Sequence, residues 1–253
     1  MLKAILFDLD DTLIDWGYFL DNWEEVEDLH LPGVFEHICT LGTPTGDLSA
    51  FKKEYLQRTK QAWTNARETL VAPHLGRILV QTAVALGIAQ DSMDERACLE
   101  AYRWAKVEGT VVFPDVVEGL KLLRNAGLRF GLVTNAFQPM WLREIEMEAH
   151  GLLDFFPECR FSAADVGYLK PHPDIFAEAL KCLDVKPDEA IFIGDNPTAD
   201  IAGAQSAGMK AVMRINPGMK PMLSGLIVPD AAINNLLELP SVLDQWFPGW
   251  AGG

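Results

Sequence analysis

The chain has 253 residues, of which 49% are hydrophobic and 23% charged, a balance that is typical of a globular protein and argues against disorder. Its net charge of -15 disfavours nucleic acid and anionic membranes as partners, so we expect neither. Charge follows Met1 too early for a secretory signal, and the 4 cysteines form no CxxC pair, so we expect a cytoplasmic protein without a zinc site.

Short apolar runs without alternation predict the buried strands of a parallel sheet. The first spans residues 4–7, and later runs lie at 128–134, 158–163, 190–194, 210–215 and 226–228. A further strand is expected at 110–113. Helical patterns at 116–125, 174–183 and 199–207 lie between them. Strands that alternate with helices imply right-handed crossovers. We therefore predict an α/β protein whose core is a Rossmann-like, doubly wound parallel sheet.

Residues 15–112 have a different character, since they are rich in Trp, Leu, Glu and Ala and their patterns are helical. Breaks are expected at Pro32-Gly33, residues 42–46, Pro73 and Gly87. We predict an all-helical domain, inserted after the first strand, that spans residues 15–112. The sheet domain would then consist of residues 1–14 and 113–253.

Three carboxylates, Asp8, Asp10 and Asp11, follow the first predicted strand and precede Thr12. Carboxylates this close repel one another unless something compensates their charge, and a divalent cation would do so. Acidic residues at the end of a strand also suit a turn or a helix cap, so this motif alone leaves both interpretations open.

Polar residues also follow the later strands. Thr134 and Asn135 end the second strong run, Asp195 ends the third, Asp200 follows it, and Lys170 lies in a proline-restricted loop between strands. Each of these residues alone fits a cap or a turn. In open parallel sheets, however, ligands bind outside the carboxyl ends of the strands, so these side chains should converge on one crevice. Carboxylates, a hydroxyl and an ammonium are the groups that magnesium-assisted phosphoryl transfer requires.

In this order the motifs resemble those of the haloacid dehalogenase-like hydrolases. The motifs are Asp8-x-Asp10-x-Thr12, Thr134, Lys170 and Gly194-Asp195-x-x-x-x-Asp200. The resemblance covers residues 1–14 and 113–225, and it implies an enzyme with a helical cap. It also implies that Asp8 attacks phosphorus to form an aspartyl-phosphate, and that Asp10 is the general acid and base.

The same resemblance implies a Mg²⁺ site and a phosphate site. Mg²⁺ would be held by the Asp8 carboxylate, the main-chain carbonyl of Asp10 and Asp195. Asp200 and Thr12 would support this site, Asp200 by orienting a metal-bound water or Lys170. Thr134, Lys170 and backbone amides near Asn135 would neutralise the transferred phosphoryl group.

We therefore expect a phosphatase that hydrolyses a small phosphorylated metabolite, as a monomer or a homodimer. A haloacid dehalogenase, a phosphonate hydrolase and a non-catalytic binding protein are the alternatives. Dehalogenation needs neither the metal nor an acid at Asp10. Phosphonate hydrolases of the family usually lack an aspartate at that position and need a cap lysine.

The predicted cap should determine the substrate. Its candidate pocket residues are Trp16, Trp23, Trp63, Trp104, Arg58, Arg67, Arg77 and Arg103. They either line a pocket for a polar organic phosphate or serve as packing tryptophans and solvated arginines, and for most of them the second interpretation is favoured. Trp16 and Tyr18 are the best pocket candidates because they closely follow the nucleophile loop.

Overall fold

A computed structural model describes residues 1–17, 23–216 and 227–251. The strands are β1 (Ala4–Phe7), β2 (Ile14–Asp15), β3 (Val111–Val112), β4 (Arg129–Thr134), β5 (Cys159–Ser162), β6 (Ala190–Gly194), β7 (Lys210–Arg214) and β8 (Ala231–Ile233). Six of them form one parallel sheet in the order β5-β4-β1-β6-β7-β8. Strands β2 and β3 form a separate antiparallel pair.

Helices cover both faces of the sheet. The helices of the described residues, including those of the helical segment, are α1 (Trp23–Leu41), α2 (Leu48–Thr69), α3 (Leu75–Ala85), α4 (Glu95–Tyr102), α5 (Val116–Asn125), α6 (Met140–Ala149), α7 (Ala163–Val166), α8 (Pro173–Cys182), α9 (Gly203–Ser206) and α10 (Leu239–Trp246). A π-helical turn at Pro197–Ala202 leads into α9. Side chains alternate along a strand, so Ile5 and Phe7 pack with α5, α6 and α10, whereas Ala4 and Leu6 pack with α8 and α9. This arrangement confirms the predicted doubly wound α/β core.

The edge strand β8 lies later in the chain than the sequence indicated. The predicted strand at 226–228 is wrong for Ile227 and Val228, which belong to no strand, and Leu226 lies outside the described residues. Pairing with β7 begins only at Asp230, whose amide donates to the Ala211 carbonyl and whose side chain accepts from the Ala211 amide. Asp230 therefore sets where the edge strand starts, and an apolar run cannot reveal that position.

Helices α1 to α4 occupy the part of the chain that was predicted to be a helical insertion. The expected break at Pro32-Gly33 is wrong, because α1 continues through both residues. A Cβ atom on Gly33 would lie 2.4 Å from the Ala101 carbonyl oxygen. Because glycine has no such atom, α1 can pack closely against α4 at this point. The other expected breaks lie between helices.

The helical segment leaves the sheet and returns to it through paired strands, since Ile14 pairs with Val112 and Asp15 with Val111. Domain boundaries at 14/15 and 112/113 stay a prediction. Among the described residues, no helix combines the length and apolar character needed to cross a membrane. The cytoplasmic location and the oligomeric state also stay predictions.

Candidate active site

Three adjacent strands deliver polar residues to one edge of the sheet. Phe7, the last residue of β1, pairs with Leu132 of β4 and Ile193 of β6. Asp8 extends this pairing, because its amide donates to the Ile193 carbonyl at 2.9 Å. Since the strands are parallel and in register, the residues that follow them emerge side by side.

Lys170 links the ends of these strands through its buried ammonium, and only 3% of the residue is exposed. Its Nζ lies 2.6 Å from Asp8 Oδ1 and 2.7 Å from Asp200 Oδ1, and it donates to the Val133 carbonyl at 2.8 Å. Burial alone would lower the pKa of Lys170, but Asp200 and Asp8 outweigh it and hold that pKa above its ordinary value. The lysine is therefore a fixed positive charge beside Asp8.

Three carboxylates surround one small volume at this edge. Single oxygens of Asp8, Asp195 and Asp200 all lie within 4.8 Å of one another. Burial raises the pKa of Asp8 to about 7, an effect that Lys170 opposes and Asp200 reinforces. Burial, followed by repulsion from Asp8 and Asp200, raises the pKa of Asp195 to about 8. Lys170 alone leaves this charge under-compensated, and an oxygen-rich anionic cluster of this kind fits a hard divalent cation.

The third carboxylate of the cluster depends on a glycine. A Cβ atom on Gly194, the last residue of β6, would lie 2.4 Å from the Asp200 carboxylate. The absence of a side chain there lets Asp200 pack under the end of the strand, where its Oδ2 accepts from the Asn196 amide at 2.9 Å. Asp200 was expected to support the metal site, and the structure places it directly beside the two predicted ligands, Asp8 and Asp195.

Thr12 contacts both sides of the cluster. Its hydroxyl lies 3.2 Å from Asp8 Oδ2 and 3.4 Å from Asp195 Oδ1. A hydroxyl donates one hydrogen, so it can serve one of these carboxylates at a time. This placement agrees with the supporting part that the sequence suggested for Thr12.

The Asp10 side chain is not part of this carboxylate cluster and is held at both of its carboxylate oxygens. Thr134 donates to Oδ2 at 3.1 Å, and Arg143 Nη2 lies 2.5 Å from Oδ1. Arg143 is only 2% exposed and also lies 3.0 Å from Glu146 Oε2. The two acidic partners outweigh the effect of burial and raise the pKa of Arg143, which therefore carries a positive charge shared between Asp10 and Glu146.

Arg143 and Glu146 were not among the site residues predicted from the sequence. Both lie on α6, the helix that follows β4, among other charged residues that give no sign of burial. Here Glu146 is fully buried, and burial raises its pKa to about 7 despite the adjacent Arg143. The guanidinium also lies 5.6 Å from the Trp16 ring and 5.8 Å from the Trp104 ring. Arg143 and Glu146 are three residues apart on the helix, a spacing that fits an ion pair. Such pairs are usually exposed to solvent, so the spacing did not indicate that these two residues are buried.

Asn135 holds the lysine loop. Its side-chain amide donates to the Lys170 carbonyl at 3.1 Å and accepts from the Lys170 amide at 2.7 Å. These two bonds fix the backbone from which the Lys170 ammonium reaches Asp8. The contact of phosphate with backbone amides near Asn135 stays a prediction.

A cavity of about 330 Å³ opens beside Asp10. Its lining residues are Asp10, Asp11, Trp16, Trp23, Trp63, Asn135, Ala136, Phe137, Gln138 and Arg143. Three of the four candidate tryptophans thus contact it, while Trp104 lies behind Trp16, with ring centroids 6.4 Å apart. The candidate arginines lie elsewhere: Arg58 pairs with Glu54, and the others are exposed. Tyr18 lies outside the described residues.

The chain is similar to known proteins in sequence and in fold. The sequence model of the haloacid dehalogenase-like hydrolases matches residues 2–208. The glyceraldehyde 3-phosphate phosphatase of Methanopyrus kandleri is 33% identical over 250 residues, which cover 97% of this chain and 98% of that protein.

Two solved structures resemble the whole chain. A phosphatase of this family from Thermococcus onnurineus superposes with a TM-score of 0.60 at 26% identity, covering 96% of this chain and 98% of the other. A 2-haloacid dehalogenase from Pseudomonas syringae pv. tomato gives 0.65 at 27% identity, covering 97% and 100%. The fold is thus shared by proteins with both chemistries, and the side chains of the site must decide between them.

Proposed function

The chain belongs to the haloacid dehalogenase-like hydrolases, and from that premise we propose that it is a Mg²⁺-dependent phosphatase of small phosphate monoesters. The observation that carries this proposal is the position of Asp8, between the ammonium of Lys170 and the carboxylates of Asp195 and Asp200. A buried carboxylate held between a fixed cation and a candidate metal site has the surroundings of a nucleophile for an anionic substrate.

In the first step an Asp8 carboxylate oxygen attacks phosphorus, and the bond from phosphorus to the leaving oxygen breaks. Asp10 gives its proton to that oxygen. In the second step Asp10 takes a proton from water, whose oxygen attacks phosphorus. The bond from phosphorus to the Asp8 oxygen breaks, which regenerates Asp8 and releases inorganic phosphate. Splitting one displacement into two lowers each barrier.

The other residues orient and neutralise. Lys170, which contacts Asp8, and Thr134, which donates to Asp10, would both contact the phosphoryl group. Mg²⁺ held by Asp8, Asp195 and the Asp10 carbonyl would supply positive charge to the phosphoryl oxygens. Arg143 keeps Asp10 beside the cavity, where a leaving group would lie. Glu146 contacts the same guanidinium, and this second contact weakens the attraction between Arg143 and Asp10.

The test is hydrolysis of p-nitrophenyl phosphate by the purified protein, with Mg²⁺ or with a chelator. We expect steady release of phosphate with Mg²⁺ and loss of nearly all activity with the chelator, because the carboxylate cluster needs a counter-charge to accept an anionic substrate. Chloride release from 2-chloropropionate is the parallel assay. Chloride release without any phosphate release would overturn the proposal in favour of a dehalogenase.

Mg²⁺ should stabilise the fold more at high pH than at low pH. In the metal-free protein the pKa values of Asp8 and Asp195 are raised from 3.8 to about 7 and about 8. Their contribution to stability is therefore complete below pH 3.8 and is lost as the pH rises through 7 to 8. Mg²⁺ compensates the charge that then appears, so the rise in Tm on adding Mg²⁺ should be larger at about pH 8 than at about pH 5.5.

Thermal unfolding with and without Mg²⁺ at both pH values checks this prediction. The Asp195→Asn variant is the control, because it removes one carboxylate of the cluster while keeping its shape. It should lose most of the pH-dependent difference. An equal rise in Tm at both pH values in the unaltered protein would contradict the assignment of Asp8 and Asp195 as ligands.

A further inference from the structure

We infer that the cavity beside Asp10 selects phosphate monoesters whose leaving group is uncharged, and that a flat apolar face or an oxygen acceptor on this group adds affinity. This inference rests on the proposed function, and it defines the substrate class for the same site. Aryl phosphates and phosphates of small aldehydes or sugars belong to the class. Monoesters with a carboxylate or a second phosphate on the leaving group do not.

The position of the cavity identifies what fills it. The nucleophile Asp8 is buried below the cavity and is not among its lining residues, whereas Asp10 and Asn135 are. In the proposed reaction Asp10 protonates the oxygen that leaves phosphorus. A substrate with phosphorus at Asp8 and this oxygen at Asp10 therefore places the rest of its leaving group in the cavity.

Aromatic rings form much of the wall, and their orientations are fixed from behind. Trp23 Nε1 donates to Glu27 at 2.8 Å, and this buried carboxylate also accepts from the Tyr102 hydroxyl at 2.8 Å. Trp16 stacks against the buried Trp104 with an interplanar angle of 14°. Trp63 lies on α2 with its ring 6.0 Å from that of Phe137. Rings held in this way present apolar surface for a flat group to pack against.

The charged groups of the lining oppose a second anion. Asp10 and Asp11 are both acidic, and Arg143 is the one lysine or arginine among the lining residues that the structure describes. Its guanidinium already contacts Asp10 and Glu146, so its charge is committed. A carboxylate on the leaving group would therefore lose its hydration and lie near Asp11 with no cation to pair with. This unfavourable contact discriminates against carboxylated substrates.

One polar group in the wall lacks a hydrogen-bond partner within the described residues. Gln138 is 1% exposed and lines the cavity, and its Nε2 has no hydrogen-bond partner among the residues that the structure describes. A buried amide without a partner is costly, so a ligand acceptor that meets it gains affinity. A carbonyl or hydroxyl oxygen on the leaving group would do so.

Matched substrates test the charge rule. Phenyl phosphate is compared with 4-carboxyphenyl phosphate, and glyceraldehyde 3-phosphate with 3-phosphoglycerate, by steady-state kcat/KM in the presence of Mg²⁺. Within each pair we expect the carboxylate to lower kcat/KM by about tenfold or more. Equal or faster hydrolysis of the carboxylated members would overturn the inference and leave the proposed function intact. Hydrolysis of none of the four would overturn both.

Two variants assign the effect to the cavity. Asp11→Asn removes the negative charge but keeps an oxygen for the Trp16 amide, and asparagine tolerates the positive φ of 56° at this position. It should narrow the discrimination against the carboxylated substrates several-fold.

Trp63→Leu should lower kcat/KM for phenyl phosphate several-fold. Trp246→Leu is its matched control and should leave the kinetics unchanged, since Trp246 is a half-buried tryptophan of α10 that contacts Lys210 of β7 and does not line the cavity. If Asp11→Asn leaves the discrimination against carboxylated substrates unchanged and Trp63→Leu leaves kcat/KM for phenyl phosphate unchanged, the cavity does not determine specificity.

Discussion

Asp8→Asn is expected to lower kcat/KM for p-nitrophenyl phosphate by a factor on the order of 10⁴ to 10⁶, the loss seen when a covalent nucleophile is removed. The amide keeps the size of the carboxylate and can still accept from Thr12, but it lacks the charge that attacks phosphorus. Phosphate release over time, with enzyme in excess as well as at steady state, measures the loss in both steps.

The same variant should fold at least as well as the unaltered protein without Mg²⁺. The mutation relieves repulsion among Asp8, Asp195 and Asp200, while Lys170 keeps its contact with Asp200 at 2.7 Å. A loss of activity without a fall in Tm therefore separates chemistry from misfolding. Asp188→Asn, at an exposed position, is the matched control and should change neither quantity. If the Asp8→Asn enzyme retained a tenth of the activity, Asp8 would not be the nucleophile.

Asp8 was predictable from the sequence because strand ends are local features that meet through one global rule. Continuous apolar runs identified β1, β4 and β6, and parallel pairing then placed Asp8, Thr134 and Asp195 at the same edge. Lys170 needed the family resemblance as well, since a proline-stiffened loop gives no direction of its own. For these four residues, the sequence and the family resemblance predicted that the side chains meet at one edge of the sheet, and the structure added the distances between them.

Arg143 and Glu146 were not predictable in the same way. Their helix carries charges along much of its length, and only packing against Trp16 and Trp104 buries this pair while Glu148 remains exposed. Which charged residue of an amphipathic helix becomes buried depends on the surface that covers it, and that surface here comes from distant parts of the chain.

The cavity wall was half predictable for a related reason. Three tryptophans were candidates because large aromatic residues lie in cores or pockets, but Phe137 and Gln138 had no distinguishing pattern. None of the four candidate arginines is among the described residues that line the cavity, and the cation there is Arg143 of α6. Substrate specificity is thus the property that the sequence determines least directly, because it depends on side chains from several elements meeting at one point.

Lys170→Met should cost both activity and stability, and the second loss should depend on pH. The ammonium is the cation that pairs with buried Asp8 and Asp200, and methionine keeps its length without its charge. Removing one partner from a buried ion pair costs about 3–5 kcal/mol, since the remaining charges stay desolvated. Activity should fall by about 10³-fold or more, because the phosphoryl group loses a fixed positive charge.

The direction of the pH effect distinguishes this explanation from a simple packing defect. Burial already raises the pKa of Asp8 to about 7 with the lysine present, and without it that pKa should rise further. The variant should therefore be most destabilised near pH 8 and recover as the pH falls towards 5, where Asp8 is protonated. Denaturant unfolding of Lys170→Met at both pH values measures the difference, with Lys181→Met, whose side chain is 78% exposed, as the control. A destabilisation that did not change with pH would mean that Lys170 supports the fold by packing, and that it does not neutralise the carboxylates around Asp8.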